Sequence, residues 1–219
     1  MLLWTYPGTV TGPCDRATFS AELDLGLRWR HPTAVRIAGL SPHRGSPHAR
    51  RIAELLPEGA KFLALAQPIG HDAELRAHVI LPGGADVASL IREKQPELPA
   101  ARYGGRWNGK WMWRWPATVL RACDADTITC DIDMGVPTHL QVNVRVAHVN
   151  APETGTAEGQ AATVWAEQAL PSGMTVELTS RGMDKWQRPL AEITLADGRD
   201  YGARLIDAGH AVLYEGGPR

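Results

Sequence analysis

The chain repeats itself. Residues 3–41 laid over residues 112–150, at a constant offset of 109, match at 12 of 39 positions without a gap. Chance at ordinary residue frequencies gives about two or three. The matches include Trp4/Trp113, Pro7/Pro116, Val10/Val119, Cys14/Cys123, Asp15/Asp124, Thr18/Thr127, Gly26/Gly135 and Arg36/Arg145. Pairs such as Glu22/Asp131 and Leu23/Ile132 are conservative. After a short insertion, Leu56-Pro57-Glu58-Gly59 meets Leu170-Pro171-Ser172-Gly173, and Leu90-Ile91 meets Leu205-Ile206; on this alignment Arg188 falls opposite Ala73. Such a repeat predicts two copies of one folding unit. The 219 residues suffice for two small domains, expected at 1–105 and 106–219, with Gly104-Gly105 and Asn108-Gly109 punctuating the boundary.

Both copies share one local pattern. Residues 118–122 and 127–133 alternate apolar and polar side chains, predicting two strands around a turn at Asp124-Ala125. Residues 140–149 alternate likewise. Residues 157–170 carry Ala161, Val164, Trp165 and Ala169 near helical spacing, and Pro171-Ser172-Gly173 ends that helix. Residues 175–180 and 190–195 predict two more strands, and 199–208 a short helix before Gly209. The first copy repeats the order, with helices near 47–56 and 85–94. The expected class is mainly β with α (α+β): two tandem Greek-key barrels of the OB type, each of five strands with two short helices.

Composition narrows the setting. Lys and Arg total 23 and Asp and Glu 24, a net charge of −1, so overall charge does not mark the chain as an electrostatic partner for nucleic acid. No run of 18 apolar residues exists, so no membrane partner is expected. The start MLLWTYPG lacks the basic region of a secretory leader. Cys14, Cys123 and Cys130 show neither zinc spacing nor a disulfide framework, which suits a reduced, cytoplasmic protein.

Three stretches of the second copy carry chemistry: CDADT at 123–127, VRVAHVNAPE at 144–153 and DKWQRPLAEI at 184–193. In this order, on this strand pattern, they resemble the signatures of the staphylococcal nuclease (thermonuclease) family. Those signatures typically read D-G-D-T, R-L-x-x-[IV]-D-[AT]-P-E and K-[YF]-G-R-x-[LV]-A. The resemblance spans residues 117–214. It implies a nuclease-like OB barrel and calcium-assisted hydrolysis of DNA or RNA. On that resemblance Asp126, Asn150 and the Ala151 carbonyl are the metal ligands, oxygen donors as a hard cation requires. Glu153 is the base that positions or deprotonates water. Arg145 and Arg188 meet the charge that develops on the phosphoryl oxygens, where a guanidinium offers forked donors.

The departures are also informative. Asn150 stands where the family has aspartate, and lacks the negative charge that attracts a divalent ion. Ala125 replaces the turn glycine, which requires a turn without positive φ at that position. From Arg106 onward there are 11 Lys and Arg against 14 Asp and Glu, an acidic balance for a binder of phosphates. Only five residues follow Tyr214, so no counterpart of the family's third, C-terminal helix is expected among them.

The first copy serves as an internal control. Asp126 lies opposite Ala17, Asn150 opposite Ser41 and Glu153 opposite Arg44, so this copy reads as a non-catalytic barrel. Its Arg28, Arg30, Arg36, Arg44, Arg50 and Arg51 form a basic stretch, either a binding face or a solvated surface. Arg145 recurs as Arg36, which leaves a structural role open beside the catalytic one. Trp111, Trp113 and Trp115 alternate, so they share a face. Base stacking, protein assembly and packing all use such a face, and Trp4 and Tyr6 repeat the last two in the first copy. Trp186 matches the family's aromatic beside the catalytic arginine. A catalytically silent tandem barrel that binds nucleic acid or protein, or builds a phage or virion assembly, is the alternative to the nuclease. It would make the chain virion-associated rather than cytoplasmic.

Overall fold

The alternation in residues 127–133 becomes a strand whose Ile128, Cys130 and Ile132 are wholly buried, while Thr129, Asp131 and Asp133 keep partial contact with water. The same two-residue period recurs around both units. The computed structural model describes residues 3–66, 74–93, 101–103, 106–107, 110–111, 113–136 and 139–215. The chain divides into two compact units, residues 1–105 with 135–137 and residues 106–134 with 138–219.

The first unit runs β1 (Leu3–Val10), β2 (Thr18–Gly26), β3 (Trp29–Ile37), α1 (Pro47–Leu55), β4 (Lys61–Ala66), β5 (Glu74–Ile80), α2 (Val87–Arg92) and β6 (Ala101–Tyr103). Its first five strands close in the order β1-β2-β3-β5-β4, and β6 adds to β1 in parallel. The second unit has two short strands, β7 (Arg106–Trp107) and β8 (Lys110–Trp111). It continues with β9 (Arg114–Asp124), β10 (Thr127–Asp133), β11 (His139–Val146), β12 (Val149–Asn150), α3 (Ala157–Ala169), β13 (Thr175–Met183), β14 (Pro189–Thr194), α4 (Tyr201–Asp207) and β15 (Val212–Leu213). Strands β9-β10-β11-β14-β13 close a barrel in the same order as in the first unit.

Register confirms the repeat and corrects its second half. Val10 pairs with Ala21 and Val119 with Cys130; Thr18 pairs with Arg36 and Thr127 with Arg145. These keep the offset of 109. Across the parallel pair, however, Arg36 faces Arg76 while Arg145 faces Leu190, so the offset there is 114. Arg188 therefore corresponds to Glu74 and not Ala73, and Leu205 to buried Ile91 and not Leu90. The sequence alignment slipped by one residue because no strong identity anchors it beyond Gly59.

Helix ends follow their caps. Ser46, Asp86, Thr156 and Asp200 each accept a backbone N–H of the first turn, worth about 1 kcal/mol apiece. The caps at Asp86 and Asp200 start α2 and α4 two residues later than the apolar pattern predicts. Strand β11 stops at Val146 rather than running to 149, because His148 turns the chain at φ 62°. The turn releases β12, which pairs with β15. Helix α3 buries Gly159, Ala162 and Ala166, a stripe of small residues that lets the helix lie close to the barrel. Trp115 lies in the barrel core and stacks on Trp113 with centroids 6.1 Å apart; Trp4 and Tyr6 do the same in the first unit. For this pair packing accounts for the alternation. The side chains of Trp107 and Trp111 lie outside the described residues. Among the described residues no helix is long and apolar enough to cross a membrane.

Candidate functional site

At one mouth of the second barrel a cavity of about 380 Å³ is bounded by the β9–β10 turn, the loop after β12 and the loop before β14. Asp126, Arg145, Ala151, Glu153 and Arg188 all line it. Asn150 stands beside them, its Oδ1 3.5 Å from Arg145 Nη2. Sequence positions spread over more than sixty residues thus converge.

Asp126 is buried, 6% exposed. Its Oδ2 accepts the Ala151 N–H at 2.8 Å and lies 2.9 Å from Arg145 Nη2, and its Oδ1 accepts the Thr127 hydroxyl at 3.2 Å. Burial pushes its carboxyl up to about 6; the Ala151 N–H and the Arg145 charge pull the other way, and neighbouring Asp124 adds to the rise. Arg145 donates to the carbonyls of Val146 (2.8 Å), Val149 (2.9 Å) and Asp126 (3.3 Å). A guanidinium can be buried at this cost only with its donors engaged. Its Nη2 bridges Asp126 and Asn150, the two side chains that the nuclease resemblance assigns to a cation.

Arg188 is arranged differently. Residues 184–188 form a tight turn around the Asp184 carboxylate, whose Oδ1 accepts the N–H of Trp186 and of Arg188, both at 2.9 Å. Its Oδ2 accepts Arg188 Nε at 2.7 Å. Partial burial opposes ionisation of Asp184, but these bonds and the Arg188 charge outweigh it and hold the carboxyl below its usual range. Arg188 Nη1 reaches Thr127 Oγ1 at 3.4 Å, and its guanidinium lies 5.1 Å from the ring centre of Trp186, which is 56% exposed. Gln187 takes φ 65° where the family pattern has glycine, a strain of about 1 kcal/mol or more.

Glu153 is exposed on the loop before α3. That loop is pinned from its backbone. Thr156 Oγ1 donates to the Glu153 carbonyl at 2.9 Å and accepts the Gly159 N–H at 3.0 Å, and the Thr156 N–H also reaches that carbonyl. A β-carbon on Gly159 would overlap the Glu153 carbonyl, so glycine is what lets the helix approach.

Sequence reasoning missed Asp184 and Asp124. Asp124 also lines the cavity, but it recurs as Asp15 and so reads as part of the fold. Asp184 opens the third motif, outside the family pattern quoted above.

The first unit has its own cleft at the matching mouth, about 630 Å³, lined among others by Asp15, Ala17, Thr18, Arg36 and Glu74. Thr18 donates to Glu74 at 2.9 Å, so Glu74 occupies the place of Arg188 with opposite charge. Arg36 reaches Glu74 at 3.9 Å and Ser41 at 3.5 Å. Arg44 pairs with Asp15 in a two-pronged bond at 3.1 and 3.2 Å.

Among the described residues no group of three or more His, Cys, Asp or Glu side chains is gathered as a metal site. The oxygen donors that the nuclease resemblance assigns to a cation are one carboxylate, one amide and one carbonyl. In kind they suit a hard cation, while both Asp126 oxygens already accept protein donors, Oδ2 from Arg145 and the Ala151 N–H and Oδ1 from Thr127. No protein-family model matches the sequence, and no curated protein matches it.

Proposed function

We propose that the second unit is a phosphodiesterase of the staphylococcal nuclease type acting on DNA or RNA, and that the first unit is non-catalytic. One observation carries the reading. Asp126, Glu153 and Arg188 line one cavity, and their first-unit counterparts Ala17, Arg44 and Glu74 carry none of that chemistry.

In this reading Arg188, held by Asp184, directs its remaining donors at a phosphoryl oxygen. Glu153, on the solvent side of the same cavity, orients and deprotonates the attacking water. Asp126, Asn150 and the Ala151 carbonyl would hold Ca²⁺, which when bound polarises the scissile phosphate. A second cavity of about 380 Å³ shares Arg145, Trp186 and Arg188, and adds Lys185, Leu190 and Tyr214. Its aromatic and aliphatic walls suit a nucleobase adjoining the phosphate.

The test is incubation of the purified chain with single-stranded DNA and with RNA, in Ca²⁺, Mn²⁺ or Mg²⁺ and then in EDTA. Cleavage that needs the cation is expected. No cleavage with any of the three overturns the reading.

A second reading, a silent barrel that binds nucleic acid or an assembly partner, is favoured by the bridge of Arg145 between Asp126 and Asn150. There the guanidinium supplies the positive charge permanently. Oligonucleotide binding unchanged by EDTA, without cleavage, would support it.

A further inference from the structure

Tyr201 begins α4, 76 residues from the turn that carries Asp126, yet its hydroxyl donates to the Ala125 carbonyl at 2.8 Å. Both residues are wholly buried. A buried carbonyl requires a partner, and here a side chain from the far end of the unit supplies it. The phenol is fixed in turn. Asp200 caps the helix through the Ala203 N–H at 2.7 Å, and the Trp165 ring lies 6.0 Å away. Burial, with Asp126 and Asp124 nearby, pushes the Tyr201 hydroxyl up, so it stays a donor across the neutral range.

The neighbouring peptide is held as well, since the Asp126 carbonyl accepts the Val146 N–H at 2.9 Å. The Asp126 Cα therefore sits between two anchored carbonyls, and its carboxylate is aimed at Ala151 N–H and Arg145. The first unit provides the comparison. At the offset of 114 that holds in the second half of the unit, Tyr201 corresponds to Val87, which has no hydroxyl; at the offset of 109 that holds in the first half, Ala125 corresponds to Arg16. Arg16 lies at φ 61°, whereas Ala125 is outside the left-handed region. The turn lacking the tyrosine has a different backbone conformation, and the carboxylate at Asp126 is alanine there.

We propose that Tyr201 is a positioning residue: its hydroxyl sets the conformation of the 124–126 turn and so aims Asp126 into the cavity. Its catalytic consequence rests on the phosphodiesterase reading; its structural consequence does not.

The test is Tyr201→Phe in the full chain, followed by amide hydrogen exchange without substrate. The Ala151 N–H, bonded to Asp126 Oδ2, is expected to exchange about tenfold faster relative to Ile193 N–H in the barrel. A general loss of stability would accelerate both alike, so equal acceleration, or none, overturns the proposal. Leu205→Val, on the buried face of the same helix, is expected to leave that ratio unchanged. Should the phenylalanine variant not fold, the wild-type protein still decides. A slowly exchanging Tyr201 hydroxyl proton seen by NMR supports the bond, and its absence refutes it. Where the wild type cleaves DNA or RNA, Tyr201→Phe is expected to lower kcat about tenfold with KM nearly unchanged. A wild type that does not cleave defeats the enzymatic reading alone, because the exchange ratio still judges Tyr201.

Discussion

Arg145 Nη2 lies 2.9 Å from Asp126 Oδ2, with the two side chains 7% and 8% exposed. The same arginine in the first copy, Arg36, has alanine in place of that aspartate and keeps a 38% exposed side chain. One inherited residue is thus a buried structural cation in one barrel and a surface group in the other.

Removing the two arginines should therefore differ in cost. Arg145→Leu leaves the Asp126 charge buried without its partner and is expected to destabilise the second unit by about 3–5 kcal/mol. Arg36→Leu should cost about 1 kcal/mol or less. Urea unfolding of both variants measures the difference, and equal costs would contradict the assigned roles.

Asp126 makes stability depend on pH with a definite sign. Burial raises its carboxyl to about 6, so the folded chain keeps a proton that the unfolded chain has lost. The stability drawn from that proton is full below about pH 4 and is lost as pH rises through about 6. Asp126→Asn has no such proton, and the lost contact with Arg145 adds only a constant offset. Relative to wild type the variant should gain stability between about pH 4 and pH 8, by up to roughly 3 kcal/mol. Denaturant titrations at several pH values with a constant difference would refute the burial of an ionisable Asp126.

Glu153 can be tested directly and through its support. On the proposed phosphodiesterase reading, Glu153→Gln is expected to slow cation-dependent cleavage about 10²-fold with substrate binding retained. Gly159→Ala, which drives a β-carbon into the Glu153 carbonyl, should displace the loop and lower kcat in the same direction. It should also cost about 1–3 kcal/mol of stability, as overpacking does. A kcat left at wild-type level in Gly159→Ala would dissociate the loop from the chemistry.

Arg188 depends on Asp184. Asp184→Asn keeps the size of the side chain but removes the charge that holds Nε, so Arg188 should lose its fixed orientation. An increase in KM and a roughly tenfold fall in kcat/KM are expected, about 1.4 kcal/mol. Arg188→Lys, which abolishes the fork, should cost more. Steady-state kinetics of both variants on a short oligonucleotide check the order.

Much of the fold was legible before any coordinates. Identities such as Val10/Val119 and Thr18/Thr127 carried the repeat, and their pairings recur in both barrels. Alternating residues in 127–133 marked a strand because side chains of a strand point to opposite faces in turn. The six candidate residues of the second copy were named from the resemblance of its three motifs to the staphylococcal nuclease signatures, and they meet at one mouth. The equivalence of Arg188 was not legible, because strand register is set by hydrogen bonds across the barrel, and few identities survive in that part of the chain.

The sequence alone determined the duplication, the order of elements and the kinds of side chain present only in the second copy, since each of these is written in local period and composition. Tertiary structure alone decided that Arg145 neutralises Asp126, that Glu74 replaces Arg188, that Gly159 admits the Glu153 carbonyl and that Tyr201 anchors the turn at Ala125. Except for Gly159 and Glu153, six residues apart, those relationships join residues distant in the chain. They arise only when the barrel closes and every buried polar group must find its partner among the neighbours that closure provides.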